Sequence, residues 1–396
     1  MNVTINRDEL ISLVQDLIRI DSVNPYLDED GPGEKAIATF IRERLVAAGL
    51  EVHVTLINDT AVNVVGILRG TGGGKSLMLN GHMDTVSAKR MEILPFEPTL
   101  VDNKIYGRGS QDMKGSLGAM IAAVEAIAQA KVPLAGDVIL TFVADEEYKS
   151  IGTEELVKAY KADAAICCEP SDLAIGVVHR GFAWVKCEVL GKAAHGSRPA
   201  EGIDAIVRAG RVLQELEHLS DRLAKGTVHP ILGAASVHAS LIQGGTELST
   251  YPDYCRIDWE RRTLPGETEA DVANEMEALL QKLRAEDETF QASAELSFLR
   301  EPFEVGLDEP VYVALQAACK SVMGKTPEVC GFSGWTDAAL LQEAGIPTVL
   351  FGPVGAGLHA AVEYVEVDSL VDMSAILVET ICDFASKKRY KGRLLL

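Results

Sequence analysis

Residues 76–85, SLMLNGHMDT, decide the fold class, because an apolar strand runs directly into a loop that carries a histidine and an aspartate. Similar strand-like runs lie nearby in the chain at 51–56, 61–68 and 138–144. Segments with helical spacing of apolar residues alternate with these strands, at 8–20, 34–48 and 114–129. Alternating helices and almost wholly apolar strands predict an α/β fold, with a mostly parallel sheet flanked by helices.

The pattern changes near residue 182. From there, strand-like and helical segments follow in the order β-α-β-β-α-β, at 182–190, 203–219, 234–242, 254–260, 267–284 and 290–299. This order is typical of a ferredoxin-like α+β domain. The α/β pattern then resumes with a helix at 310–322 and a strand at 348–351. We therefore predict one α/β domain formed by residues 1–181 and 300–396, interrupted by an inserted domain at 182–299.

Composition excludes several classes of function. The 396 residues include 37 basic and 58 acidic side chains, and the net charge of −21 repels nucleic acids and anionic membrane surfaces. No run of about 18 apolar residues predicts a membrane-spanning helix. The seven cysteines have no regular spacing and the first residues do not resemble a secretory signal, so we expect free thiols and a cytoplasmic protein.

Histidine and acidic side chains recur where predicted strands end or a helix begins. Such positions gather at one edge of a parallel sheet, where ligands bind. The five candidate metal ligands are His82, Asp112, Glu147, Glu169 and His359. Nitrogen and carboxylate ligands without thiolates suit zinc, with cobalt or manganese as possible substitutes. Three carboxylates and one hydroxide balance the charge of two divalent ions, so the set favours a dinuclear site.

Each of these positions also has a structural interpretation. Asp84 could be the carboxylate partner of a metal-bound His82, or the two could form an ordinary buried pair. Asp112 could equally be a helix N-cap. The acids at 145–147 could form a solvated loop, or could supply one metal ligand and a neighbouring general base.

Six segments resemble a family of metallopeptidases and deacylases that includes acetylornithine deacetylase, succinyl-diaminopimelate desuccinylase, aminoacylase and glutamate carboxypeptidase. In the family's order, these segments are LNGHMDTV, YGRGSQDMKGS, ADEEYKSIGT, the turn at Glu169, GKAAHGSRPAEG and LFGPVGAGLHAAVEYV. They span about residues 79 to 365. The resemblance implies a zinc-peptidase-like catalytic domain, an inserted lid and dimerisation domain, and two zinc ions per subunit.

The resemblance also implies a role for each candidate ligand. Asp112 would bridge the two metals, His82 and Glu169 would complete one site, and Glu147 and His359 would complete the other.

Five further residues receive roles from the same resemblance. Asp84 would orient the metal-binding histidine, and Glu146 would be the general base that activates water. In the inserted domain, His195 would reach the oxyanion, often from the partner subunit of a dimer. Arg262 would bind the substrate carboxylate, for which a guanidinium is well suited. Ser249 stands where many relatives have asparagine, so a contact to the substrate or oxyanion would differ.

These implications predict a zinc-dependent amidohydrolase that acts on an N-acyl amino acid and forms a homodimer through the inserted domain. A carboxypeptidase or dipeptidase acting on small peptides with the same dinuclear site is the alternative. An inactive binding module that retains the fold is a third hypothesis, which the intact ligand set and Glu146 argue against. A glutamate rather than an aspartate at 169 goes more with deacylases and carboxypeptidases than with aminopeptidases.

Overall fold

The computed structural model describes residues 2–386 and 393–395, and this part of the chain forms two compact units. The first unit contains the chain up to Val177, then Val305–Cys330, and then the chain from Thr336 onward. The second unit contains Val178–Glu304 and Gly331–Trp335.

The first unit is built on a sheet whose four central strands are parallel. In spatial order these are Thr348–Leu350, Ala164–Cys167, Leu77–His82 and Val138–Val143. Every residue in them is buried, as expected for strands covered on both faces. Antiparallel neighbours extend the sheet, with Ile175–His179 on one side and Val62–Leu68 followed by Glu51–Leu56 on the other. The predicted α/β class, with a mostly parallel central sheet flanked by helices, is confirmed.

The helices of the first unit are Arg7–Arg19, Lys35–Ala47, Gly115–Gln129, Ile151–Ala159, Pro310–Met323, Ala338–Glu343 and Val367–Phe384. Asn6 starts the first of them by accepting hydrogen bonds from two N–H groups of its first turn. Of these seven helices in the described part of the chain, the helical spacing of apolar residues predicts four to within one residue at each end. The helices Ile151–Ala159, Ala338–Glu343 and Val367–Phe384 were not predicted. None of the helices in the described ranges is both long and apolar enough to cross a membrane.

A small antiparallel sheet in the first unit joins two distant parts of the chain. Its strands, in spatial order, are Gly355–Ala356, Tyr364–Glu366, Lys104–Tyr106 and Thr99–Val101. Tyr364 pairs with Tyr106, so the segment after residue 106 starts beside the loop formed by residues 357–363.

The second unit has the predicted element order β-α-β-β-α-β. Its antiparallel strands lie in the spatial order Ser236–Gly244, Tyr254–Thr263, Gly181–Leu190 and Gln291–Arg300. Buried and half-exposed residues alternate along Gly181–Leu190, because the helices Ala205–Lys225 and Glu269–Glu286 cover one face of the sheet.

One short segment departs from the predicted domain limits. Gly331–Trp335 lies within the predicted 300–396 part but groups with the second unit. The Trp335 indole N–H donates to the carbonyl of Glu301 at 3.0 Å, and its ring lies 6.3 Å from that of Phe182. Aromatic packing therefore draws this segment to the second unit, which also extends beyond the predicted 182–299 at both ends.

Candidate metal centre

Five segments of the first unit carry the candidate ligands to the carboxyl-terminal edge of the parallel strands. His82 ends one strand, Glu147 follows Val138–Val143, and Glu169 follows Ala164–Cys167. Asp112 lies in the irregular turn that precedes the helix Gly115–Gln129. His359 lies in the 357–363 loop. These five residues are distant in sequence, and the topology of the sheets brings them together.

Asp112 lies at the centre of the arrangement. One of its oxygens, Oδ1, is 3.0 Å from Nε2 of His82, and the other, Oδ2, is 3.3 Å from Nε2 of His359. His359 Nε2 is also 3.0 Å from Glu147 Oε2, and His82 Nε2 is 3.9 Å from Glu169 Oε1. Two groups of three potential ligand atoms result, each within 4.8 Å of one another, and Asp112 belongs to both.

The charges and the donor atoms of this cluster fit two divalent cations. Burial raises the pKa of Glu147 to about 7 and that of Glu169 to about 8. Burial also acts to raise the Asp112 pKa, but hydrogen bonds from His359 and His82 prevail and hold it below its usual value. Glu147 Oε1 is buried and has no hydrogen-bond partner among the described residues. A carboxylate-rich cluster with an unpartnered buried oxygen and two imidazoles is a suitable ligand set for metal ions.

The main chain of Asp84, rather than its carboxylate, makes the closest contact with the ring of His82. Nδ1 of His82 is 2.9 Å from the Asp84 carbonyl oxygen and 3.6 Å from the carboxylate Oδ1. The carboxylate instead accepts hydrogen bonds from the N–H groups of Glu146, at 3.1 Å, and Glu147, at 3.2 Å. The carbonyl favours a proton on Nδ1, which leaves Nε2 to face Asp112 as a ligand. The sequence pattern had suggested the carboxylate as the partner of the ring.

Glu146 lies among other acidic groups of this cluster. Burial raises its pKa well above the usual value, and the like charges of Glu169 and Asp337 add to that effect, while His82 opposes it. The hydrogen bond from its own N–H to Asp84 fixes the main chain of the turn that carries it. A carboxylate with a raised pKa binds a proton more readily than one with the usual pKa, which suits a general base.

Sequence reasoning missed three buried polar residues around the cluster. Asn24 is fully buried, and its amide donates at 2.9 Å to both Asp84 and Asp145. Asp337 accepts a hydrogen bond from the Thr153 hydroxyl at 2.7 Å. Glu363 is fully buried beside the Asp112 turn. Only Glu363 carried a signal, because it lies inside a segment that matches the family.

Two residues with predicted roles in the second unit lie in neighbouring segments. The short strand Ala194–His195 pairs with Thr250–Tyr251, so His195 is close to the main chain of Ser249. The carbonyl of Ser249 accepts a hydrogen bond from the N–H of Gly196 at 2.7 Å. The His195 side chain is exposed, and its Nδ1 lies 2.8 Å from the Ser197 hydroxyl.

Arg262 lies on the long strand Tyr254–Thr263, where it and Arg261 point to opposite faces. Arg261 is only 1% exposed and donates to Glu275 at 3.0 Å, so it belongs to the core of the second unit. Arg262 is half-buried, its Nε donates to Glu260 at 2.6 Å, and its guanidinium lies 5.3 Å from the ring of Phe182. Arg262 is therefore the more accessible guanidinium of the two.

Residues 78–383 match Peptidase family M20/M25/M40, and the chain belongs to this family of metal-dependent hydrolases. It is 32% identical to an acetylornithine deacetylase of Myxococcus xanthus over 358 residues, which cover 87% of this chain and 91% of that protein. It is 28% identical to an N-formyl-4-amino-5-aminomethyl-2-methylpyrimidine deformylase of Bacillus subtilis (strain 168), over 97% of this chain and 96% of that protein. The predicted resemblance to metallopeptidases and deacylases is confirmed.

Solved structures show that the same fold occurs in peptidases. Aminopeptidase PepT from Bacillus cereus ATCC 10987 matches with a TM-score of 0.77 at 23% identity, over 95% of this chain and 98% of that chain. The Bacillus subtilis YXEP protein, described as a dinuclear metal binding peptidase from the M20 family, matches with a TM-score of 0.72 at 19% identity. The match covers 95% of this chain and 97% of that chain. At these identities the likeness concerns the fold alone.

Proposed function

We propose that the protein is a zinc-dependent amidohydrolase that hydrolyses the amide bond of an N-acyl amino acid. The observation that carries this proposal is the position of Asp112, which presents one carboxylate oxygen to each of two histidines. The two relatives described above are named a deacetylase and a deformylase, and both names denote removal of an acyl group. The sequence identity to these two relatives, 32% and 28%, exceeds the 23% and 19% to the two peptidases described above, which supports this class over a peptidase.

The residues of the first unit would divide the metal binding between them. His82 and Glu169 would hold one zinc ion, Glu147 and His359 would hold the other, and Asp112 would be a ligand of both. When bound, the two ions would supply Lewis acidity that lowers the pKa of water and polarises the scissile carbonyl, and cobalt or manganese could substitute for zinc.

Glu146 is the general base of the proposed mechanism. Its carboxylate accepts a proton from the attacking water and later donates that proton to the departing amine nitrogen. The Asp84 carboxylate holds the main-chain N–H of Glu146, and the Asp84 carbonyl holds the ring of His82. Asp84 would therefore position both the base and a metal ligand.

Three residues of the second unit would act on the substrate. Arg262 would grip the substrate carboxylate through two parallel hydrogen bonds, a role that its half-buried guanidinium supports. His195, whose side chain is exposed, would donate to the oxyanion, contributed by the partner subunit of a dimer. Ser249 would contact the substrate near His195, with a shorter reach than an asparagine.

A panel of substrates tests the proposed reaction. The protein, supplied with zinc or cobalt, would be assayed with acetylornithine, succinyl-diaminopimelate, N-acetylated neutral amino acids and dipeptides. We expect kcat/KM for one acyl amino acid to exceed that for every dipeptide by at least about tenfold, a difference of about 1.4 kcal/mol in transition-state stabilisation. The opposite order would establish the peptidase alternative. Failure to hydrolyse any member with metal bound would contradict both, and Glu146→Gln protein controls for contaminating hydrolases.

We further propose that the protein is a homodimer that pairs through the edge strand Ser236–Gly244. Among the described residues this strand has a neighbouring strand on one side only, and its Leu241 and Ile242 are 59% and 52% exposed. An apolar edge strand is a template for pairing with another chain. Two such edges related by a twofold axis would form a continuous sheet.

Charged substitutions on that edge strand are expected to produce monomers. In Leu241→Lys with Ile242→Lys, the new charges would repel one another across a twofold interface and leave the edge solvated. Sedimentation velocity would measure the change from dimer to monomer. The matched control is Val54→Lys with Leu56→Lys, because these residues are 49% and 64% exposed on the edge strand of the first unit. If the dimer persists with the substitutions at Leu241 and Ile242 but is lost with those at Val54 and Leu56, the proposed interface is contradicted.

A cytoplasmic location is proposed from the chemistry of the thiols. All seven cysteines are free, and six of them are buried. Unpaired buried cysteines are typical of proteins in a reducing compartment. The substrate is proposed to be a small molecule rather than a nucleic acid, which the net charge of −21 would repel.

A further inference from the structure

The carboxylate of Glu363 fills a concave group of main-chain N–H donors beside the proposed metal centre. The side chain is fully buried. It accepts four hydrogen bonds, two on each oxygen: from Arg108 Nη1 at 2.8 Å, Gly109 N at 3.0 Å, Gln111 N at 2.9 Å and Asp112 N at 3.0 Å. Main-chain N–H groups that converge in this way form an anion site, and here the chain itself supplies the anion.

We propose that Glu363 is a positioning residue that holds Asp112 and His359 in register for binding two metal ions. The inference rests on the proposed dinuclear function. Glu363 follows His359 by four residues and binds the main-chain N–H of Asp112 directly. A single side chain therefore connects the loop that carries one ligand to the turn that carries the ligand shared by both metals.

Further contacts strengthen the same connection. The Glu363 carbonyl accepts a hydrogen bond from the N–H of Gly107 at 3.1 Å, and Arg108 Nη2 donates to the carbonyl of Ala360 at 3.2 Å. Arg108 is 2% exposed, so its charge balances that of Glu363 inside the protein. The pair of Glu363 and Arg108, which we call the clamp, therefore adds no net charge next to the carboxylates of the cluster, unlike an unpaired acid at the same place.

The number of donors explains why a carboxylate is needed here. Three N–H groups and one guanidinium N–H require four acceptor sites, which the two oxygens of an ionised carboxylate provide. In a glutamine, one oxygen would be replaced by an NH₂ group that faces two donors. With its N–H released, Asp112 could turn, and its two oxygens would no longer face His82 and His359 together.

Measurements of metal binding test the proposal, because they distinguish a positioning role of Glu363 from a general contribution to protein stability. Glu363→Gln is expected to raise the zinc dissociation constant about 10–100-fold, as loss of groups that orient ligands does in other sites. It should also change the visible absorption spectrum of the cobalt-loaded protein, and Glu363→Asp should recover part of both. The matched control is Glu125→Gln, which removes a carboxylate paired with Arg44 at 2.6 Å on the helix Gly115–Gln129. Wild-type affinity and spectrum in folded Glu363→Gln would overturn the inference.

Hydrogen–deuterium exchange of the wild-type protein keeps the test informative if Glu363→Gln does not fold. The peptide covering residues 107–114 should be protected before zinc is added, because the Glu363 carboxylate rather than the metal accepts hydrogen bonds from the N–H groups of Gly109, Gln111 and Asp112. If the amide hydrogens of this peptide exchange freely without zinc and are protected only after zinc is added, the inference is overturned. If the wild-type protein binds no zinc at all, the proposed function fails, whereas protection of this peptide would still show the clamp.

Discussion

Glu146→Gln is expected to lower kcat about 10²–10⁴-fold without reducing the zinc content. The amide cannot accept the proton of the attacking water, and loss of a general base costs about that factor. A 10³-fold loss corresponds to about 4 kcal/mol in the activation free energy. The main chain should keep its place, because Asp84 holds the N–H of residue 146 whatever its side chain is. Steady-state kinetics and elemental analysis of the same preparation measure both quantities.

The control for this substitution is Glu155→Gln, which removes an exposed glutamate paired with Lys158. It should leave both kcat and zinc unchanged, because an exposed ion pair contributes little. Unchanged turnover in Glu146→Gln would remove this residue as the base. Loss of zinc together with turnover would instead identify it as a ligand.

Asp112→Ala is expected to abolish both zinc sites and to reduce hydrolysis below detection. Asp112 is the one residue that belongs to both groups of potential ligands, so its removal leaves each with two of three atoms. The increase in the thermal midpoint that zinc produces in the wild-type protein should disappear as well, because stabilisation by a ligand requires binding to the native state. Titration calorimetry and thermal unfolding with and without zinc are the measurements.

Comparison with Glu169→Ala distinguishes Asp112, a proposed ligand of both metals, from a residue that is a ligand of one metal. Glu169 belongs to one group only, so its loss should remove one zinc ion per chain and leave the other. Asp16→Asn, which affects an exposed aspartate paired with Arg19, should bind zinc like the wild-type protein. Retention of two zinc ions in Asp112→Ala would show that this residue is not shared between the metals.

The sequence predicts the parallel core because buried strands leave a clear pattern. A strand such as Val138–Val143 is apolar except for Thr141, and the acidic residues 145–147 follow it after a single alanine. Since parallel strands end at one edge, residues far apart in sequence can be expected to meet there. The alternation of buried and half-exposed residues along Gly181–Leu190 can equally be predicted from the sequence, because helices cover only one face of that strand.

Other elements leave a weaker pattern. The helix Val367–Phe384 is buried on all but one narrow face, so only the four acidic residues of that face, Asp368, Asp372, Glu379 and Asp383, mark its helical spacing. The placement of Gly331–Trp335 depends on contacts of Trp335 with Phe182 and Glu301, which are distant in sequence.

Residues that support the site without being ligands themselves are equally hard to predict. Asn24 precedes a proline and looks like an ordinary turn residue, yet its amide joins two buried carboxylates. Asp84 was expected to act through its side chain, but its carbonyl makes the closer contact with His82. A hydrogen bond to a main-chain atom places no demand on the residue type of its partner, so no motif records it.

The contact between Glu363 and Asp112 has a consequence for biosynthesis, because the two residues are 251 positions apart. During translation, the ribosome must add the whole second unit and most of the remaining chain before His359 and Glu363 emerge. A nascent polypeptide that ends earlier presents acids and one histidine of the centre without the loop that completes it. We therefore expect metal capture to be a late, post-translational event, after the long-range contacts that close the first unit have formed.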